Sequence, residues 1–169
     1  MNITKYRSGF PAVAVVAVLL MAGCASVISP GVLKDVDQSI SFDQLLAQPE
    51  AYKGRTVLLG GDIIETQNFP DETVIVVLHR PLGFRKKPEA EGTSKGRFIV
   101  SAVGFLDPAI YGRGRKITVA GAVRGKEERA LGEVVYAYPV IEKRELHLWP
   151  EEESSGVVPW FHFGIGVMF

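Results

Sequence analysis

An all-β fold is what the sequence predicts, on three observations: five strand-like runs at even spacing, glycines set inside two of the long runs, and one helical turn between the third and the fourth. That order is the order of a small OB-fold-like Greek-key barrel with short helices. Another small β-sandwich or barrel would have as many strands, but no use for the helical turn.

The chain opens on a leader, residues 1–23. Lys5 and Arg7 give a positive start, Phe10 to Met21 is uncharged and apolar, and Ala22 and Gly23 are small. A spanning helix needs roughly 20 apolar residues, and this run is well short of that. The segment therefore reads as a secretory signal cut between Gly23 and Cys24. Cys24 is the only cysteine, so no intramolecular disulfide can staple the domain. A buried free thiol is the bland reading, and it fits an exported chain poorly because such thiols are unusual in oxidising compartments.

Met21-Ala22-Gly23-Cys24 resembles the lipobox of bacterial lipoproteins, with Met21 where Leu is usual. The resemblance implies a diacylglycerol on the Cys24 sulfur and an acyl chain on its new amino terminus. No other cofactor is expected. One acyl chain holds a protein marginally, at ~0.8 kcal/mol per buried methylene, whereas several hold it stably. Ala25 is not the Asp that favours inner-membrane retention in such proteins, so the resemblance implies an outer-membrane address, facing the periplasm.

The full chain carries no net charge, and loss of Lys5 and Arg7 leaves about two negative charges in excess. Nucleic acid is excluded as a partner by compartment and by the missing basic surplus. Residues 24–40 read as a lipidated N-terminus and flexible tether, with Ser29-Pro30-Gly31 as a breaker. Residues 41–150 suffice for one β-barrel domain, and 151–169 form an acidic linker and an apolar aromatic tail.

Ser41 and Gln44 make a capping box, Phe42, Leu45 and Leu46 share a face, and Pro49 limits the turn, so a short helix opens the domain. Strand patterns follow over Arg55–Thr66, Thr73–His79, Arg97–Ala102, Lys116–Val123 and Val134–Ile141, the last continued after a break over Glu145–Trp149. Gly60-Gly61 and Gly121 mark strong bends or bulges that let one strand serve two sheets. Asp107 as cap, Pro108 at the first position and Gly112 as stop predict the single helical turn.

Three stretches together carry a family resemblance: Ser41 to Gly61 (SFDQLLAQPEAYKGRTVLLGG), Asp107 to Gly121 (DPAIYGRGRKITVAG), and Tyr136 to Val140 with Leu148-Trp149-Pro150. They resemble the Slp family of outer-membrane lipoproteins of Gram-negative bacteria, the starvation-inducible lipoproteins, over nearly the whole mature chain. The resemblance implies an outer-membrane protein tied to stationary-phase and stress responses. It supplies no catalytic residues.

The residues themselves point to no catalysis and no metal. His79, His147 and His162 lie far apart with no ligand spacing, His79 at a strand end and His147 on an exposed strand face. Glu127-Glu128 and Glu151 to Glu153 read as solvated turns, since neighbours on a strand point apart. Ser94 and Ser101 lack a nucleophile context. Gly121 to Gly125 ends a strand rather than cradling phosphate, having no Lys-Ser/Thr ending. The basic loop with Arg80, Arg85, Lys86 and Lys87 is a candidate contact for anionic headgroups or lipopolysaccharide, at ~1 kcal/mol per basic residue near the surface; a solvated hairpin loop, its charge partly cancelled by Glu89 and Glu91, is the plainer reading.

The tail supplies a second candidate. Phe161, Phe163, Ile165, Val167 and Phe169 alternate with His162, Gly164, Gly166 and Met168 behind Trp160. Trp160, Phe161, Phe163 and Phe169 either pack on the domain as an added strand or sit at the membrane interface. Two functions emerge: a non-catalytic module supporting the envelope through envelope proteins or lipopolysaccharide, or an OB-type binder of a small ligand or oligosaccharide. Aromatics such as Tyr136 and Tyr138 lining a concave pocket would favour the second.

Overall fold

The computed structural model describes residues 26–90 and 92–151. Five strands, β1 (Thr56–Asn68), β2 (Glu72–His79), β3 (Arg97–Val103), β4 (Lys116–Leu131) and β5 (Val134–Leu148), close a barrel in the order β1-β2-β3-β5-β4. Every pairing is antiparallel except β3 with β5, which is parallel through Ile99 and Val140. This is the OB-fold connectivity expected from the strand spacing.

Alternation decides what faces inward. Val57, Leu59 and Ile63 of β1 meet Ile75, Val77, Phe98, Val100, Ile117, Val119, Val123 and Ile141 in one apolar core. Phe42 and Leu45 of a short helix (Phe42–Ala47) join that core, and Ser41 caps the helix through the predicted box with Gln44. Buried apolar area is the stabilising term, at about 25 cal/mol per Å².

β1 serves two neighbours. Its first half pairs with β4 and its second half with β2, the two registers overlapping at Gly61 and Asp62. A Cβ on Gly61 would stand 2.0 Å from the Leu78 carbonyl oxygen, so only glycine lets β2 approach there. The bulge itself falls three residues on, at Ile64.

Three expectations are corrected. Residues 108–110 form a hydrogen-bonded turn closed by Asp107 rather than a helix; the helix in the barrel core comes from before β1. β4 and β5 are each longer than the hydrophobic pattern implied, running on as a two-stranded ribbon to Leu131 and back from Val134 without a break at residues 142–144. Glu127 and Glu128 therefore lie on a strand, paired with Arg129 and Lys126 respectively at 2.6 Å.

The third correction concerns the tether. Pro30–Asp35 is helical, with Pro30 at its first turn, where a missing N–H costs nothing. Ile28 is fully buried. Both Glu145 carboxylate oxygens accept from the Ser29 N–H at 3.0 Å, and the Asp37 N–H donates to the Thr56 carbonyl at 2.8 Å. From Ile28 onward the segment lies on the outside of the barrel.

Candidate functional site

The outer face of β2 and β3, where an OB barrel binds ligands, is partly occupied by the protein itself. Val74, Val76 and Ile99 point outward there and are buried by Tyr138, with Tyr136 and Val140 alongside. The Tyr136 hydroxyl accepts from the Arg97 N–H at 3.0 Å, and the two tyrosine rings meet edge to face at 4.7 Å. These aromatics fasten the β4–β5 ribbon to the barrel. The groove beside them is lined by Val74, Ile99 and Val140 of the same cluster.

What remains open on that side mixes apolar and charged residues. Two adjoining grooves, of 280 and 460 Å³, share Glu72, Ser101 and Arg124. Arg124 is the extra residue of a bulge in β4, so its guanidinium swings out to donate to Ser101 Oγ at 3.1 Å and to stand 3.6 Å from Glu72. Ser101 spends its own proton on Glu72. Ser101 is thus held between a carboxylate that accepts its proton and a guanidinium that donates to its oxygen.

His79 and His147 have different surroundings, and His162 lies outside the described residues. His79 is buried and stacks face to face on Phe42, ring centroids 3.9 Å apart, with Nδ1 unpartnered. Burial, with a smaller contribution from the nearby Lys95 charge, pushes its pKa down to about 4. His147, expected on an exposed face, is half-buried against Trp149, and burial together with the Arg85 charge also lowers its pKa. Among the described residues no cluster of three or more His, Cys, Asp or Glu could hold a metal ion.

The basic loop divides into two pairs. Arg80 is structural: its Nε donates to Asp62 at 2.8 Å and its Nη1 to the Gly92 carbonyl at 2.6 Å, while Lys116 holds the other Asp62 oxygen at 3.1 Å. Lys87 lies over the Trp149 ring at 5.6 Å. Arg85 and Lys86 are exposed at the tip of a tight loop closed by a Leu82–Pro88 bridge, and Phe84 beside them is 86% exposed. The sequence pooled four cations that the fold separates.

Cys24, Gly23, Trp160, Phe161, Phe163 and Phe169 lie outside the described residues. What sequence reasoning missed is the pair of bulge-aimed arginines, Arg124 and Arg144, the latter donating to Asp35 at 2.8 Å. Bulges leave no mark in a period-two pattern, so only the glycines beside them hinted at irregularity.

Comparison with known proteins supplies the deciding observation: the outer membrane lipoprotein Slp family matches residues 21–164. The chain belongs to this family. Among Slp-like relatives, the Escherichia coli (strain K12) outer membrane protein Slp is 29% identical over 133 residues, covering 77% of this chain and 69% of that one. The uncharacterized lipoprotein YeaY of the same organism is 26% identical, covering 88% and 79%. An uncharacterized protein of Haemophilus influenzae is 33% identical, covering 85% and 86%. The family match begins at Met21, so it takes in the Cys24 position as well as the barrel.

Proposed function

We propose that this Slp-family protein is cut behind Gly23, acylated on Cys24 with diacylglycerol and an N-acyl chain, and held on the periplasmic side of the outer membrane as a non-catalytic envelope module serving stationary-phase or stress conditions. The observation that supports the reading is the packing of Tyr136 and Tyr138 on the outer face of β2 and β3. A barrel that commits Tyr136 and Tyr138 to fastening its own ribbon has given up the aromatic platform an OB-type binder uses. Family membership supports the outer-membrane address.

The second reading, a small-ligand or oligosaccharide binder, keeps one favourable observation, the groove around Arg124. A deletion strain complemented in stationary phase separates the two, with outer-membrane barrier integrity read by uptake of an excluded dye. Rescue by wild type and by Arg124→Ala, but not by Cys24→Ser, is the expected result. Loss of rescue with Arg124→Ala at unchanged thermal stability would replace the structural reading with the binding one.

A further inference from the structure

Two segments distant in sequence lie side by side on the outer face of β1, β4 and β5. One is the N-terminal segment that leads back to Cys24. Ser29 is held by Glu145, which stands opposite Ala120, itself opposite Leu58. The other is the loop after β2. Its Lys86 carbonyl accepts from Thr118, which lies between Gly60 and His147 in the next outward-facing row. Successive rows on one face are about 6.8 Å apart. Leu33 of the N-terminal helix and Lys86 of the loop line one groove of 320 Å³.

The loop is held firmly and its tip is bare. Leu82 and Pro88 pack over Gly60, where a Cβ would meet Leu82 Cδ2 at 2.4 Å, and Trp149 donates to Thr118 Oγ1 at 2.9 Å beneath them. The Gly83 N–H donates to the Lys87 carbonyl at 2.9 Å, closing the tip. Arg85 and Lys86 adopt φ of 56° and 62°, a left-handed conformation that non-glycine residues rarely keep unless their surroundings enforce it. The result presents one aromatic ring and two cations outward. Among the described residues, Glu89 on the other limb beside Gly83 and Asp37 across the shared groove are opposing charges nearby.

Chain reach turns this adjacency into an orientation. Buried Ile28 is four residue steps on from Cys24, and at no more than ~3.6 Å per residue those steps reach at most about 14 Å. An acylated Cys24 cannot be far from the bilayer, so Ile28 and its neighbours on the barrel cannot be far from it either.

We infer that the Phe84-Arg85-Lys86 tip is a second membrane contact: with Cys24 anchored, Phe84 enters the interfacial layer and Arg85 and Lys86 meet the phosphates of anionic phospholipid. The inference rests on acylation of Cys24. Aromatic rings sit comfortably at the headgroup level, and basic side chains near an anionic leaflet are attracted to it. The acyl chains supply the anchorage, and the tip fixes which way the barrel faces.

The test uses the lipidated protein in vesicles. Because acylation blocks the Cys24 thiol, Phe84→Cys offers a single thiol for an environment-sensitive dye, and Val103→Cys, on the exposed far end of β3, is the control. Two dyes per chain would show that Cys24 is free, which sinks the proposed anchor rather than the tip. With one dye, the expected result on phosphatidylglycerol-containing vesicles is a blue shift and several-fold weaker acrylamide quenching at position 84 than at 103. Adding Arg85→Glu and Lys86→Glu, or using phosphatidylcholine alone, is expected to restore quenching at 84. Equal quenching at the two positions, or shielding at 84 indifferent to both charge changes, would overturn the assignment. The Phe84 side chain is almost wholly exposed, so the substitutions are expected to leave the melting temperature unchanged.

Discussion

His79 shows how one buried side chain couples the fold to pH. Its ring is packed on Phe42 with an unpaired Nδ1, and the Lys95–Asp43 ion pair on the same side supplies the charges it feels, the lysine lowering and the aspartate raising its pKa. The unfolded chain takes up a proton below about pH 6.5, whereas the folded chain resists until about 4. Stability from this group is therefore present above pH 6.5 and lost as pH falls towards 4. Thermal melts across that range are expected to show the loss, and His79→Phe is expected to flatten this part of the profile while keeping the stacked ring. A variant profile parallel to wild type would refute the assignment. Gly61 makes the complementary point about space. Gly61→Ala drives a methyl into the Leu78 carbonyl and is expected to cost ~1–3 kcal/mol or more. Gly31→Ala, in a helix with nothing within 4 Å, is expected to raise stability by ~0.4–1 kcal/mol. Urea titrations of the two variants check the contrast in sign.

At the scale of elements, the N-terminal segment behaves as part of the barrel from Ile28. Ile28→Ala is expected to cost ~2–5 kcal/mol, as for a fully buried aliphatic side chain, and a midpoint of denaturation equal to wild type would restore the tether. This element was hidden from the sequence because its support is not local: the residue that holds Ser29 is Glu145, at the other end of the chain. The Phe42–Ala47 helix, by contrast, was legible to its cap, since Ser41 and Gln44 satisfy one another within a single turn. The ribbon escaped for a third reason. Lys126-Glu127-Glu128-Arg129 is wholly charged and so reads as a solvated turn, yet the backbone there is paired with β5, and the Lys126 N–H donates to Glu50 at 2.9 Å. The basic loop is a parallel case: sequence placed four cations together, and Asp62 of β1, the Gly92 carbonyl and Trp149 just after β5 draw Arg80 and Lys87 away from the tip.

For the whole molecule, strand spacing and paired glycines were enough to give the barrel, because those signals are periodic and local, whereas the helical turn taken to mark the OB order is a hydrogen-bonded turn at residues 108–110. The function of the β2–β3 face was not, because whether Tyr136 and Tyr138 line a site or close one depends on where the ribbon folds. One sulfur is proposed to join the barrel to a membrane, two residues before the described structure begins. Intact-mass spectrometry of protein purified from native envelopes tests that claim most directly. A polypeptide starting at Cys24 with the added mass of diacylglycerol and a third acyl chain is the predicted result; an unmodified thiol, or a retained leader, would contradict it.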